Sequence, residues 1–215
     1  MNKYISIVPI RAGSKGLKDK NIRLLKGKPL YLYSVEQGIR TTQKCIISTD
    51  IESVLDKEFP SNIEVCRRKN ILCQDQTTME QVLLDLFISN ELDKYNGVLL
   101  QATSPLRKDI DIRNSIRMFE TNQYTMIMST CKQDSRVMKY GRINDSLYQP
   151  LFNTETLFKN RQDIQDVFSP NGAIYIFAIK DFIKLKAFPS KAIGAYIMPK
   201  ERSLDIDNNN DFLDV

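Results

Sequence analysis

Short apolar runs, most of them β-branched, alternate with helical stretches along the 215 residues, and this alternation limits the fold more than any other feature. The runs fall at 5–8, 45–48, 63–66, 98–101, 125–131, 173–178 and 195–198. Between them, residue patterns predict helices over 29–40, 51–58, 79–92, 109–122 and 180–186. Leu30, Tyr33 and Ile39 supply an inward stripe for the first. Val82, Leu83, Leu86 and Phe87 do so for the third, with Thr77 or Thr78 as its cap. Such alternation implies an α/β fold of three layers, Rossmann-like, with a mainly parallel sheet and right-handed crossovers. Ligands in these sheets bind beyond the carboxyl ends of the strands. The loops at 10–20 and 101–107 both leave such ends and should meet at one crevice.

From 132 to 168 the pattern breaks. Segments 137–143 and 146–152 read as a hairpin around Asn144-Asp145, and 155–166 is polar without a helical stripe. The expected organisation is one core, 1–131 with 169–215, carrying an inserted arm at 132–168.

Composition excludes several classes. A hydrophobic fraction of 42% is enough for a substantial core. The net charge of +5 suits an acidic small-molecule ligand, and no dense Lys/Arg tract points to nucleic acid. The chain has no histidine, so Ser-His-Asp and Cys-His catalysis are excluded. Cys45, Cys66, Cys73 and Cys131 form no C-x-x-C pair and are expected as small reduced core residues rather than zinc ligands. The first strand begins by residue 4, leaving no room for a leader segment, and no apolar run approaches the ~18 residues of a membrane span. A soluble, cytoplasmic protein with no membrane partner is expected.

The stretch ISIVPIRAGSKGLKDKNI, residues 5–22, then carries the most chemistry. A buried strand runs into a loop with Gly13 and Gly16 beside Arg11, Lys15, Lys18 and Lys20. Glycines let backbone N–H groups approach a ligand, and the cations favour an anion such as a polyphosphate. By itself the stretch is compatible with a phosphate cradle or a basic surface loop. It is neither a P-loop nor a G-x-G-x-x-G fingerprint, because neither spacing occurs in it. Near the other end, Leu204-Asp-Ile-Asp207 puts Asp205 and Asp207 on one side of an extended segment, roughly 7 Å apart. That pair suits either a hard cation held through oxygen or a polar face capping the next helix.

These motifs together resemble the CMP-sialic acid synthetase (acylneuraminate cytidylyltransferase) family. PIRAGSKGLKDKNIRLLKGKPL is similar to that family's first signature. QATSPLR at 101–107 is similar to its second, with Ala102 replacing proline, and SPNGAIYI at 169–176 to its third, with Ser169 replacing arginine. SLDIDNNNDF is similar to its last. The resemblance covers nearly the whole chain and implies a nucleotidyltransferase fold, a homodimer built through the arm, and transfer of CMP from CTP to a nine-carbon α-keto acid sugar. It implies that Arg11, Lys15 and Lys20 hold the triphosphate, with Gly13, Ser14 and Asn21 assisting, and that Asp205 and Asp207 hold Mg²⁺. Gln101 would meet the ligand, Thr77 would lie by the nucleotide, and Lys139 and Arg161 in the arm would suit a sugar carboxylate. Arg107 is expected to be structural, paired with a carboxylate. The acceptor stays open among sialic, legionaminic and pseudaminic acids. A KDO cytidylyltransferase, a nucleotide-binding protein without turnover and a nucleic-acid module are the alternatives.

Overall fold

The computed structural model describes residues 3–13 and 17–213. Its centre is a seven-stranded sheet in the order β11–β7–β10–β6–β1–β4–β5. The strands are β1 (Tyr4–Pro9), β4 (Cys45–Thr49), β5 (Ile63–Arg67), β6 (Asn96–Leu100), β7 (Met126–Gln133), β10 (Val167–Ala178) and β11 (Ile193–Met198). Six run parallel, and β10 is antiparallel to both neighbours, β6 and β7. Two small antiparallel pairs complete the strands: β2 (Leu24–Leu25) with β3 (Lys28–Pro29), and β8 (Gly141–Asn144) with β9 (Leu147–Pro150).

Helices cover both faces because the central strands are apolar on both. Val8, Ile47, Val98 and Ile176 pack on one side with Tyr31 and Val35 of α1 (Leu30–Thr41), Val54 of α2 (Glu52–Leu55) and Ile112 of α4 (Asp109–Phe119). Ile5, Ile7, Ile46 and Phe177 pack on the other with Leu83 and Phe87 of α3 (Met79–Ser89) and Phe182 of α5 (Ile179–Leu185). Phe87, Phe177, Phe182 and Phe188 form a ring cluster there, with centroids 5.1–6.1 Å apart. Thr78 caps α3, and Gln81 closes the capping box. Among the described residues no helix is long and apolar enough to cross a membrane.

Several local expectations need correction. The helix expected over 51–58 is one turn, since the chain breaks at Asp56. Residues 135–139 form a single-turn helix, so the hairpin starts only at Gly141, turning through Asp145 and Ser146, both left-handed. Two further single turns, Thr154–Phe158 and Arg161–Asp163, occupy the polar stretch. The strand expected at 173–178 begins instead at Val167, and Asn171-Gly172 lies within it as a bulge between Pro170 and Tyr175. Only Cys45 and Cys131 are buried among the four free thiols.

Among the described residues Arg107 has no carboxylate in hydrogen-bond contact, contrary to expectation. It is fully buried and donates to Gln37 Oε1 (3.0 Å), Ser34 Oγ (2.6 Å) and the carbonyls of Ala173 and Gln101. One guanidinium thereby joins α1, the end of β6 and β10. Burial pushes its pKa down to about 9, with Asp111 and Asp109 nearby opposing the fall. Arg107→Ala would leave a cavity and orphan these acceptors, and should destabilise the chain by about 3–5 kcal/mol. Arg107→Met should recover only the volume part of that loss, as read from urea unfolding midpoints.

Candidate active site

The first loop is held by its own backbone and by the end of the neighbouring strand. Ile10 donates to the Ser48 carbonyl (2.9 Å), and the Ala12 N–H donates to Asp50 Oδ1 (2.8 Å), so the loop leaves β1 pinned to the end of β4. Gly13 has φ +66°, with nothing within 4 Å of where a Cβ would sit, so glycine there answers to the sign of φ rather than to crowding. Ser14 and Lys15 lie outside the described residues. After a left-handed Asp19, residues Lys20–Ile22 make one helical turn that buries Asn21. Asn21 Nδ2 reaches back to the Arg11 carbonyl at 3.0 Å and ties the two ends of the loop together.

Arg11 projects toward the loop before α3. Its Nη2 meets Asp75 Oδ1 at 2.8 Å and its Nη1 donates to the Cys73 carbonyl at 3.1 Å. Thr77 belongs to this same loop, but its hydroxyl donates to the Ile71 carbonyl, 3.4 Å away.

Lys20 connects the loop to the end of the chain, with Nζ 2.8 Å from Asp207 Oδ1. The segment around Asp207 has no strand partner. It is fixed instead by one backbone bond, Ile206 N–H to the Thr103 carbonyl (2.8 Å), and by the Ile206 side chain, buried with Leu25 and Leu30. Asp205 is largely buried, and its Oδ1 makes no hydrogen bond among the described residues. Burial pushes its carboxyl above the ordinary value; a hydrogen bond from Thr103 opposes this, Asp207 adds to it, and Lys20 opposes it. Asp211 accepts from the backbone N–H groups of Asp207 and Asn208, while Asn208 Oδ1 accepts from those of Asn210 and Asp211 and so caps the last helix, α6 (Asn209–Leu213).

Beside Asp205 opens a cleft of about 430 Å³, lined by Gln101, Gln133, Ser169, Gly172, Tyr175 and Asp205 among others. It exists because β10 is antiparallel. The first half of that strand runs past the carboxyl end of β6 and forms a wall above it. The bulge is held by Asn171, whose Oδ1 accepts from Ser129 Oγ (2.6 Å) and the Ala173 N–H (3.2 Å). Gly172, at φ +75°, faces the Gln101 amide, which a Cβ would meet at 3.5 Å. Ser169 accepts a hydrogen bond from Gln133 Nε2 (2.9 Å), which makes this wall neutral.

The structure thus brings Arg11, Gly13, Lys20, Asn21, Gln101, Asp205 and Asp207 to one end of the sheet. Lys139 and Arg161 lie in the arm, where Lys139 Nζ donates to the Lys159 carbonyl (2.7 Å) and Arg161 stands 3.6 Å from Asp134. Neither lines the Gln101 cleft.

Two residues were missed from the sequence. Asp50, at the end of β4, holds the loop backbone. Arg68, just after β5, is buried, its Nε has no hydrogen-bond partner among the described residues, and its Nη2 donates to the Ser48 carbonyl (3.3 Å). Burial pushes its pKa down; Cys73 and Asp50 oppose this, and Arg11 adds to it. Two guanidinium groups so placed call for an anion. The Arg67-Arg68-Lys69 run at a strand end was the available signal.

Residues 5–202 match the sequence profile of the family described as Cytidylyltransferase. The chain belongs to that family. Asp205 and Asp207 fall just past the matched residues. The chain is 34% identical over 99% of its length to an N-acylneuraminate cytidylyltransferase of Streptococcus agalactiae serotype V (strain ATCC BAA-611 / 2603 V/R). It is 30% identical over 98% of its length to one of Escherichia coli O18:K1:H7. It spans about half the length of these two relatives, 52% and 50%. Among solved structures, CMP:2-keto-3-deoxy-manno-octonic acid synthetase complexed with CTP superposes with a TM-score of 0.71, covering 97% of this chain and 95% of that one, at 14% identity. At that identity the likeness concerns the fold.

Within this cytidylyltransferase fold the donors suit a hard cation. Among the described residues no group of three or more acidic, cysteine or histidine side chains gathers, so a cation bound here would take two protein carboxylates at most and would fill its other positions with ligand oxygens and water. The unpaired, buried oxygen of Asp205 is what such a cation would satisfy. Asp205→Asn removes a buried charge that the ligand-free fold disfavours. It should raise the melting temperature of the ligand-free protein, as checked by calorimetry.

Proposed function

We propose that the chain transfers CMP from CTP to a nine-carbon α-keto acid sugar of the N-acylneuraminate kind. The observation that carries this reading is the Lys20–Asp207 contact, which puts the basic loop and the carboxylate pair at one mouth beside the Gln101 cleft. Family membership and a likeness to N-acylneuraminate cytidylyltransferases that runs along 98–99% of this chain support it.

In the reaction the anomeric hydroxyl oxygen bonds to the α-phosphorus and loses its proton to solvent, the bridge to the β-phosphate breaks, and pyrophosphate leaves with its charge. Little covalent work falls to the protein, so positioning and charge stabilisation supply the rate. Arg11 and Lys20, with Lys15 from the same loop, hold the triphosphate and offset the charge on the leaving group. Gly13 and Asn21 shape the loop backbone, Asn21 by fixing the Arg11 carbonyl, and Ser14 is assigned an assisting role toward the phosphates. Arg68, Asp50 and the loop carrying Thr77 border the nucleotide end. Gln101 orients the acceptor, and the Gln133–Ser169 pair offers it neutral hydrogen bonds. Asp205 and Asp207 would hold Mg²⁺, which when bound acts as a Lewis acid on phosphate oxygens.

Exposed apolar side chains in the arm support a homodimer. Ile143 and Phe158 are 77% and 86% exposed, with Tyr140, Leu147 and Tyr148 also open. A second copy would cover them and bring Lys139 and Arg161 toward an acceptor's carboxylate.

The decisive experiment measures pyrophosphate release from CTP and Mg²⁺ with a panel of acids: N-acetylneuraminic, legionaminic, pseudaminic and KDO. Turnover with a nine-carbon acid is the expected result, turnover with KDO alone would replace the acceptor, and CTP binding without release from any acid would sink the enzymatic reading. Arg11→Ala should lower release roughly 10²–10³-fold with an unchanged circular dichroism spectrum. In sedimentation, Ile143→Asp with Phe158→Asp should shift the wild-type dimer to monomer.

A further inference from the structure

We propose that Asp111 and Arg202, neither of which lines the cleft, are a positioning pair that sets the place of the Asp205 carboxylate. The proposal rests on the reading of Asp205 as a cation ligand. Asp111 sits on α4 with no exposed surface, and both its oxygens are saturated. Arg202 Nε meets Oδ2 at 2.9 Å and Nη2 meets Oδ1 at 2.8 Å, a two-bond fork on the carboxylate. Tyr196 Oη (3.1 Å) and the Lys108 N–H (2.9 Å) complete the set.

Arg202 closes the single turn Lys200–Arg202 that follows β11, three residues before Asp205. From there to Asp207 the backbone belongs to no helix or strand, so nothing regular holds it. Point attachments hold it instead. Ser203 Oγ donates to the Pro199 carbonyl (2.8 Å) and accepts from Asn171 Nδ2 (2.9 Å), and Ile206 is anchored beyond. Asp205 hangs between the Arg202 fork and the Ile206 anchor. A buried carboxylate oxygen without a hydrogen bond is costly and persists only where the backbone leaves it no alternative. Groups that orient a metal-binding carboxylate from behind typically govern metal affinity by 10–100-fold.

The test uses Arg202→Lys, which keeps the charge but loses the fork, and Tyr196→Phe, which removes one bond to Asp111 and spares the ion pair. Three quantities are read: melting temperature, Mn²⁺ affinity by electron paramagnetic resonance with CTP present, and the Mg²⁺ dependence of pyrophosphate release. Arg202→Lys is expected to weaken Mn²⁺ binding about 10–100-fold and to raise the Mg²⁺ half-saturation in step, with turnover largely restored at saturating metal. Tyr196→Phe should do the same to a smaller extent, and it carries the test should Arg202→Lys fail to fold. Variants that melt earlier yet bind Mn²⁺ as wild type does would show a merely structural pair and overturn the proposal. A wild type that binds no Mn²⁺ and turns over without metal would instead overturn the reading of Asp205, and the proposal with it.

Discussion

One buried guanidinium holds together the parts from which the candidate site is made. Arg107 bonds to α1, to the last carbonyl region of β6 and to the middle of β10, and it does so without a carboxylate. Its charge is matched by oriented dipoles, an arrangement that tolerates no gap because each acceptor also depends on it. Gln101 follows β6 directly, and the bulge of β10 faces it. The angle between them, and so the cleft, is set several residues away from any ligand.

The rest of the site is an agreement between the two ends of the chain. The first loop supplies cations and the last segment supplies carboxylates, and neither end is held by sheet hydrogen bonds where it does its work. Leu25, Leu30 and Ile206 form a small apolar knot that brings them together. Polar side chains then refine the approach, through Asn21 on Arg11 and Lys20 on Asp207.

Much of this was legible in the sequence. Strand periodicity located all seven strands of the main sheet, and strand-end logic put the loops at 10–20 and 101–107 on one side. What escaped has a physical reason. An apolar run such as Ala173–Ala178 reads the same whichever way the strand points, so the antiparallel β10, and the wall it makes, could not be seen. Single-turn helices at 135–139 and 154–158 carry no repeating stripe, which is why the arm read as a plain hairpin with a polar tail. Arg68 was not singled out in the sequence, because only three-dimensional burial sets it apart from Arg67, its exposed neighbour paired with Glu52. Arg107 was rightly read as structural, yet its partners are carbonyls and neutral side chains that no pattern advertises.

Two cations of the first loop are not held bare. Arg11 rests on Asp75 and Lys20 on Asp207, so the chain carries internal counterions at its mouth. An incoming anion must compete with tethered carboxylates, whose effective concentration does not fall on dilution. Singly charged solutes gain too little from that exchange to win it, whereas a polyanion replaces both partners at once. On the proposed reading the same exchange would free Asp207 when a polyanion arrives, and the mouth would select by valence before shape.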